Sequence, residues 1–348
     1  MTISRQTFHC LSLCARPIRG ADHAVELAAA LETPTSWDEL LDQAEQHGLE
    51  PLLLGHLRAA RIAIPQSAQD RLRARSVQHA HASAVRDLVI IEIVRALESA
   101  GIPTLVLKGA ALARLVYANP ALRPMRDVDL LVPKAAARQA WAALEAIGFS
   151  AGGTPVGPSH HHLQGLSTTL NGATITVELH TELFARTPFI KPLQYEELCR
   201  TSQTFEWGGV TLRTLSREDM LWHVYAHAFV INVFCRGIRL ISVADLVHAT
   251  DAWADVLDWH ELGWRYRRMA RALPRAHQLT CRSVRPLDAP TEWWGALHRD
   301  VLWPPEWWFA MRYGIQGLSQ WTWFRFIGHP AHLAAAAADA VRRRVPSR

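Results

Sequence analysis

The sequence predicts a mixed α+β protein of 348 residues, with a small α/β core built on a mixed sheet between two helical regions. Three observations point there. Residues 1–99 carry apolar side chains at helical spacing. Residues 100–215 interleave short apolar strands with helical stretches and hold two glycine-turn hairpins. Residues 216–348 return to helical, tryptophan-rich sequence. These three spans are the expected domains: an N-terminal helical region, a core and a C-terminal helical region.

Each element has a local reason. Trp37, Leu40, Leu41 and Ala44 fall on one helix face, with Ser36 as the N-cap. Pro51 and Pro65 punctuate the region, and a long helix is expected from Gln66 to Ala100 with Val85, Leu88, Val89, Ile93 and Leu97 as its packing stripe. In the core, a strand over Thr104–Leu107 breaks at Gly109 and a helix runs from Ala110 to Tyr117. Asn119-Pro120 ends it, because proline disfavours helix in the residue before it. A second strand covers Val128–Val132, and a helix from Lys134 to Ile147 stops at Gly148. Leu166–Leu170, Asn171-Gly172 and Thr174–His180 form the clearest hairpin signature. Thr204–Trp207, Gly208-Gly209 and Val210–Leu215 form a second. Ser216 and Asp219 then resemble a capping box, with Asp in place of Glu or Gln. Breaks in the helical C-terminal region fall at Pro274, Pro286, Pro290 and Pro304-Pro305.

Composition narrows the class. Hydrophobic residues are 49% and charged residues 20%, which excludes a disordered chain. No apolar run approaches the ~18–20 residues of a membrane span, and no stretch reads as a signal peptide. The five cysteines are scattered without a CxxC pair, which argues against a disulfide framework or a zinc ribbon. The cytoplasm is the expected compartment. The formal charge of +5 comes from arginine; only Lys108, Lys134 and Lys191 are lysines among 37 basic residues. A lysine kept beside Gly109 in so arginine-rich a chain points to a compact ammonium at that place. Basicity permits a nucleic-acid partner without establishing one.

The chemistry concentrates in Arg123-Pro-Met-Arg-Asp-Val-Asp-Leu-Leu-Val132. Asp127 and Asp129 are two residues apart in a β-favouring run, so they project from one face of one strand. Neighbouring carboxylates repel each other unless a cation lies between them, and hard oxygen ligands suit Mg²⁺. Upstream, Thr104-Leu-Val-Leu-Lys-Gly-Ala110 is a strand that opens a helix, whose free N–H groups suit a phosphate. In the Asn-Gly hairpin, Thr174, Thr176, Glu178 and His180 share a polar face opposite Ile175, Val177 and Leu179. Taken alone, that face reads first as a solvated antiparallel surface.

Strand, Lys-Gly, helix and Asp-x-Asp together resemble the nucleotidyltransferase fold of the DNA polymerase β superfamily. More narrowly, Leu107-Lys-Gly-Ala-Ala-Leu112 and Arg123–Val132 resemble the signatures of a family of largely uncharacterised bacterial nucleotidyltransferases. The resemblance is specific over residues 100–215. It implies a third carboxylate on a later strand, which Glu178 supplies in a Glu-Leu-His context. It implies two Mg²⁺ ions held by Asp127, Asp129 and Glu178, and an NTP donor (ATP among them) held by Lys108, Gly109, Ala110 and Arg123. The superfamily usually has Gly-Gly or Gly-Ser at the turn; Ala110 departs from this and removes a side-chain hydroxyl. The implied reaction transfers a nucleoside monophosphate to an acceptor hydroxyl on a small molecule, peptide or protein, releasing pyrophosphate. A non-catalytic nucleotide-binding scaffold and an RNA 3′-end transferase are the competing readings.

Other residues carry weaker signals. Arg123 is expected to contact triphosphate or to pair with a carboxylate, and Arg126 to face solvent. His180 is expected at the metal or as a support for the acidic cluster. His223 and His227 are spaced i, i+4, but they lack the glutamate of the HExxH zinc motif; the resemblance implies a role at the edge of the site, against which a satisfied inter-domain histidine pair is favoured. Asp245 matches a family position, either in the cleft or as a helix cap. His160-His161-His162 reads as a loop more readily than as a metal tract. Trp264–Arg271 is a basic, aromatic face for which solvation is favoured over RNA or a membrane surface.

Overall fold

The computed structural model describes residues 4–18, 21–32, 36–152, 160–184, 193–231, 239–266 and 269. The expected breaks from Pro274 onward and most of the basic end of Trp264–Arg271 lie outside them.

Among the described residues, five helices make the N-terminal part: α1 (Arg5–Cys14), α2 (Ala21–Glu32), α3 (Trp37–His47), α4 (Glu50–Ala59) and α5 (Gln66–Ser99). The Ser36 hydroxyl accepts from Glu39 N–H at the start of α3, and Gly48 ends it with φ 71°. Leu40, Leu41 and Ala44 are buried there, as their spacing requires. At 34 residues, α5 runs about 50 Å, long enough to reach from the bundle along the sheet.

Among the described residues the sheet has seven strands: β1 (Leu105–Val106), β2 (Asp127–Leu131), β3 (Ser150–Ala151), β4 (Leu166–Leu170), β5 (Ala173–His180), β6 (Gln203–Trp207) and β7 (Val210–Thr214). Their order is β3-β4-β5-β2-β1-β7-β6. It is mixed: β2 runs parallel to β5 and β1 parallel to β7, while the other neighbours are antiparallel. Both hairpins turn on two residues of positive φ, Asn171 (49°) with Gly172 (77°) and Gly208 (57°) with Gly209 (77°). That geometry matches the twist of the flanking strands.

Helix α6 (Lys108–Leu115) follows β1, α7 (Ala137–Ala146) follows β2, and α8 (Tyr195–Thr201) precedes β6. Helices α5 and α7 pack on β5, whose Ile175, Val177 and Leu179 are buried. Helix α6 packs on β2 and touches α9 (Arg217–Tyr225) and α10 (Leu240–Trp253); α11 (Trp259–Arg265) follows. One contiguous apolar core joins bundle, sheet and α9–α10.

Several boundaries differ from expectation for physical reasons. The turn after β1 falls at Lys108, which takes φ 39°, and Gly109 is already helical. Lys134–Ala136 is a 3-10 turn ahead of α7. Strand β3 and helix α8 are too short to leave a periodic signal. Ser216 caps α9 through Asp219 N–H at 3.1 Å, but the Asp219 carboxylate does not reach back. Instead it accepts from Thr201 Oγ1 at 3.0 Å and from the Tyr266 hydroxyl. Beyond α9, Ala226–Ile231 forms a π turn, so His223 and His227 do not share a regular helix. Among the described residues no helix is long and apolar enough to cross a membrane.

Candidate active site

The parallel β2–β5 pair builds the site. Its register sets Asp127 beside Thr176, Asp129 beside Glu178, and Leu131 beside His180. Directly paired residues of neighbouring strands share a face, so the alternation on both strands gathers the polar side chains on one side. His180 Nε2 reaches back one step along the strands and lies 2.8 Å from Asp129 Oδ1 and 3.6 Å from Glu178 Oε2. One ligand atom from each of Asp129, Glu178 and His180 falls within 4.8 Å of the others.

Strand β1 delivers the cation. Leu107 N–H donates to Asp129 O at 2.9 Å, so the next residue lies over the carboxylate. Lys108 Nζ is 3.3 Å from Asp129 Oδ2, with both side chains largely buried. The strained φ of Lys108 aims this ammonium, an unusual conformation for a non-glycine residue and one that clusters at functional sites. Gly109 and Ala110 follow in the first turn of α6, both buried, where N–H groups lack helical partners.

The carboxylates divide electrostatically. Burial and the charges of Asp129 and Glu178 push the Asp127 pKa up. Burial would also raise Asp129, but Lys108 and the hydrogen bond from His180 outweigh it and hold that carboxyl well below its usual range. The hydrogen bond from His180 lowers Glu178 despite burial. For His180, burial works against the charged form, yet its bonds to Asp129 and Glu178 raise its pKa. Asp129 is therefore held ionised with its charge compensated, whereas the charged form of Asp127 is disfavoured for want of a cation beside it. The donor set and this unrelieved repulsion fit a hard divalent cation.

Arg123 takes the carboxylate-pairing option. Its Nε and Nη2 lie 3.1 and 2.6 Å from Asp245 Oδ1 and Oδ2, and the Tyr117 hydroxyl adds a bond of 2.8 Å to Oδ1. Asp245 sits buried within α10, away from the helix ends, so it does not cap that helix. The Arg123 guanidinium lies against Gly109: a Cβ there would be 2.2 Å from Nη1 and 2.7 Å from Cζ. Gly109 is thus required for close approach rather than for φ. Arg86 of α5, buried, donates to Met125 O at 3.1 Å and braces the segment before β2. Arg126 is exposed, as expected.

His223 is fully buried, stacks edge-on to Phe184 at 5.1 Å, and neither ring nitrogen has a hydrogen-bond partner. The expected satisfied pair is therefore not what forms. Burial, then Lys108 and His227, pushes the His223 pKa well down and keeps the ring neutral. The tract 160–162 comes into the site: His162 bridges the backbone of His180, and its Nε2 is 3.7 Å from Glu178 Oε2. The run of three histidines was the only sequence signal for this, because its contact with β5 arises from tertiary pairing.

No curated protein matches the chain. Among solved structures, the antibiotic-resistance factor ANT(2'')-Ia in solution is 17% identical, with a TM-score of 0.36 over 56% of this chain and 98% of that one. ANT(2'')-Ia in complex with adenylyl-2''-tobramycin is 14% identical, with a TM-score of 0.35 over 56% and 99%. An antigenic nucleotidyltransferase-like protein from Paracoccidioides brasiliensis is 16% identical, with a TM-score of 0.30 over 59% and 96%. Residues 33–281, spanning the third, fourth and fifth bundle helices, the whole sheet and the Arg123–Asp245 pair, match a family described as uncharacterised nucleotidyltransferase, and the chain belongs to that family.

Proposed function

We propose that this nucleotidyltransferase moves a nucleoside monophosphate from an NTP to an acceptor hydroxyl in a Mg²⁺-dependent reaction. The observation that carries the reading is the pairing of Asp129 with Glu178 on adjacent parallel strands, with Asp127 one step along and Lys108 at 3.3 Å from Asp129. Residues 100–215 are the catalytic core in this reading, flanked by regions 1–99 and 216–348.

Asp127, Asp129 and Glu178 would hold the metal, two ions being the expectation. Bound there, Mg²⁺ would offset the negative charge of carboxylates and triphosphate. Lys108 and the first N–H groups of α6 bind the β,γ-phosphates, orienting the α-phosphorus toward the acceptor. Glu178 accepts the proton of the acceptor hydroxyl as its oxygen bonds to the α-phosphorus. The bond from the α-phosphorus to the bridging oxygen breaks, and pyrophosphate leaves. His180 touches no substrate in this scheme; it fixes the Asp129 carboxylate. Arg123 acts through Gly109 and Asp245, setting the start of α6 against β2. Positioning and charge neutralisation do most of the work in such chemistry, so no protein nucleophile is required.

The test is binding of each of the four NTPs with and without Mg²⁺, read by thermal shift, with Asp127→Asn/Asp129→Asn as control. A metal-dependent shift that the double variant loses supports the reading and names the donor. Equal shifts in both proteins would sink it.

A further inference from the structure

We propose that His160, His161 and His162 form a second metal site, which takes a divalent transition-metal ion of the zinc class and draws on Glu178. One ring nitrogen from each histidine lies within 4.8 Å of the others. The ring centroids are 4.1 to 4.8 Å apart. Three imidazoles brought this close share a small volume that a single ion can occupy.

The tract is held in place. His161 O accepts from Thr181 N–H at 2.9 Å and Glu182 N–H at 3.2 Å, and His162 forms a backbone bridge with His180. These bonds tie the loop to the end of β5. The ring nitrogens are also prepared. His162 Nδ1 lies 2.6 Å from Leu163 O, so Nδ1 carries the proton and donates, which leaves the Nε2 lone pair toward Glu178 Oε2. A ligating histidine commonly fixes its tautomer through such a bond to a carbonyl. His161 Nδ1 is buried with no hydrogen-bond partner, an unmet polar group that a metal bond would satisfy.

Ligand chemistry separates this site from the carboxylates. Asp127 and Asp129 offer hard oxygens that suit Mg²⁺, whereas imidazole nitrogens with one carboxylate oxygen suit Zn²⁺ and its neighbours. Glu178 stands between the two, 3.7 Å from His162 Nε2 and beside Asp129 in the strand register. An ion on the histidines therefore competes for Glu178 with an ion on Asp127 and Asp129, and by linkage each weakens the other.

The test uses the full-length protein without a polyhistidine tag, titrated with Co²⁺ and followed by visible absorption, then displaced with Zn²⁺. Wild type should bind one equivalent at the histidines, marked by an intense low-symmetry band. His160→Ala/His162→Ala should lose that band, with affinity falling at least about tenfold, while Asp127→Asn retains it. Circular dichroism of the variants confirms that both remain folded. The proposal is overturned if no band appears in wild type. It is equally overturned if the double histidine variant binds as tightly as wild type, which places the ion on Asp129, Glu178 and His180 instead. Because the readout is spectroscopic, neither outcome depends on nucleotidyl transfer.

Discussion

Arg123 and Asp245 form a two-pronged ion pair, 3.1 and 2.6 Å, across 122 residues of chain. It fastens α10 to the segment that leads into β2, at a point where Arg123 is 14% and Asp245 3% exposed. Truncating one partner of such a pair leaves the other buried and uncompensated. Arg123→Ala or Asp245→Ala should each cost about 3–5 kcal/mol in urea unfolding. The double variant should cost clearly less than the sum of the two. Additive losses would show that the pair does not couple.

Gly109→Ala tests the same joint from the other side. A methyl group there meets the guanidinium, which must leave Asp245 to make room. The expected cost is about 1–3 kcal/mol. In an Arg123→Ala background the substitution should become nearly neutral, because the obstructing group is gone.

His180→Ala should weaken Mg²⁺ binding by about 10- to 100-fold, since the bond that orients Asp129 is lost. Calorimetric titration of metal reads this directly. His180→Gln, which can still donate to Asp129, should recover part of the loss; no difference between the two variants would assign His180 a packing role only.

Two bundle histidines make stability depend on pH. Burial drives His47 down to about 3, helped by Arg239. Burial drives His56 down to about 4. Both are neutral in the fold, while the unfolded chain takes up protons below about 6.5. Their stabilisation is therefore complete above that pH and is lost as pH falls toward 4. At pH 5 each should forfeit roughly 2 kcal/mol. His47 Nδ1 accepts from Leu240 N–H at 3.2 Å and so caps α10, which ties its protonation to the loss of a bond. Urea midpoints at pH 7 and pH 5, in wild type and His47→Asn, measure the effect. The variant should show the smaller pH dependence.

Local chemistry made much of this legible. Asn171-Gly172 demands two positive φ angles and forms the turn it spells; Ser36 caps α3; Asp-x-Asp puts two carboxylates on one strand face. The relationships that assemble the site span distant elements and leave no periodic trace. The Lys108–Asp129 contact follows from β1 lying beside β2, and Asp245 finds Arg123 only once α10 has docked. His162 reaches Glu178 only once its loop has paired with the end of β5. The shift of the turn from Gly109 to Lys108 reverses the usual expectation that glycine takes the left-handed angle, because here the glycine is needed for space.

The two-residue turn at Asn171-Gly172 also makes β5 a ruler. Glu178 meets Asp129 because a fixed number of residues separates it from the bend. One residue added between Thr174 and Glu178 would rotate the glutamate into the core and present an aliphatic side chain to Asp129. Letters in that stretch can drift, but its length cannot, and relatives that keep the chemistry should accommodate their insertions in other loops.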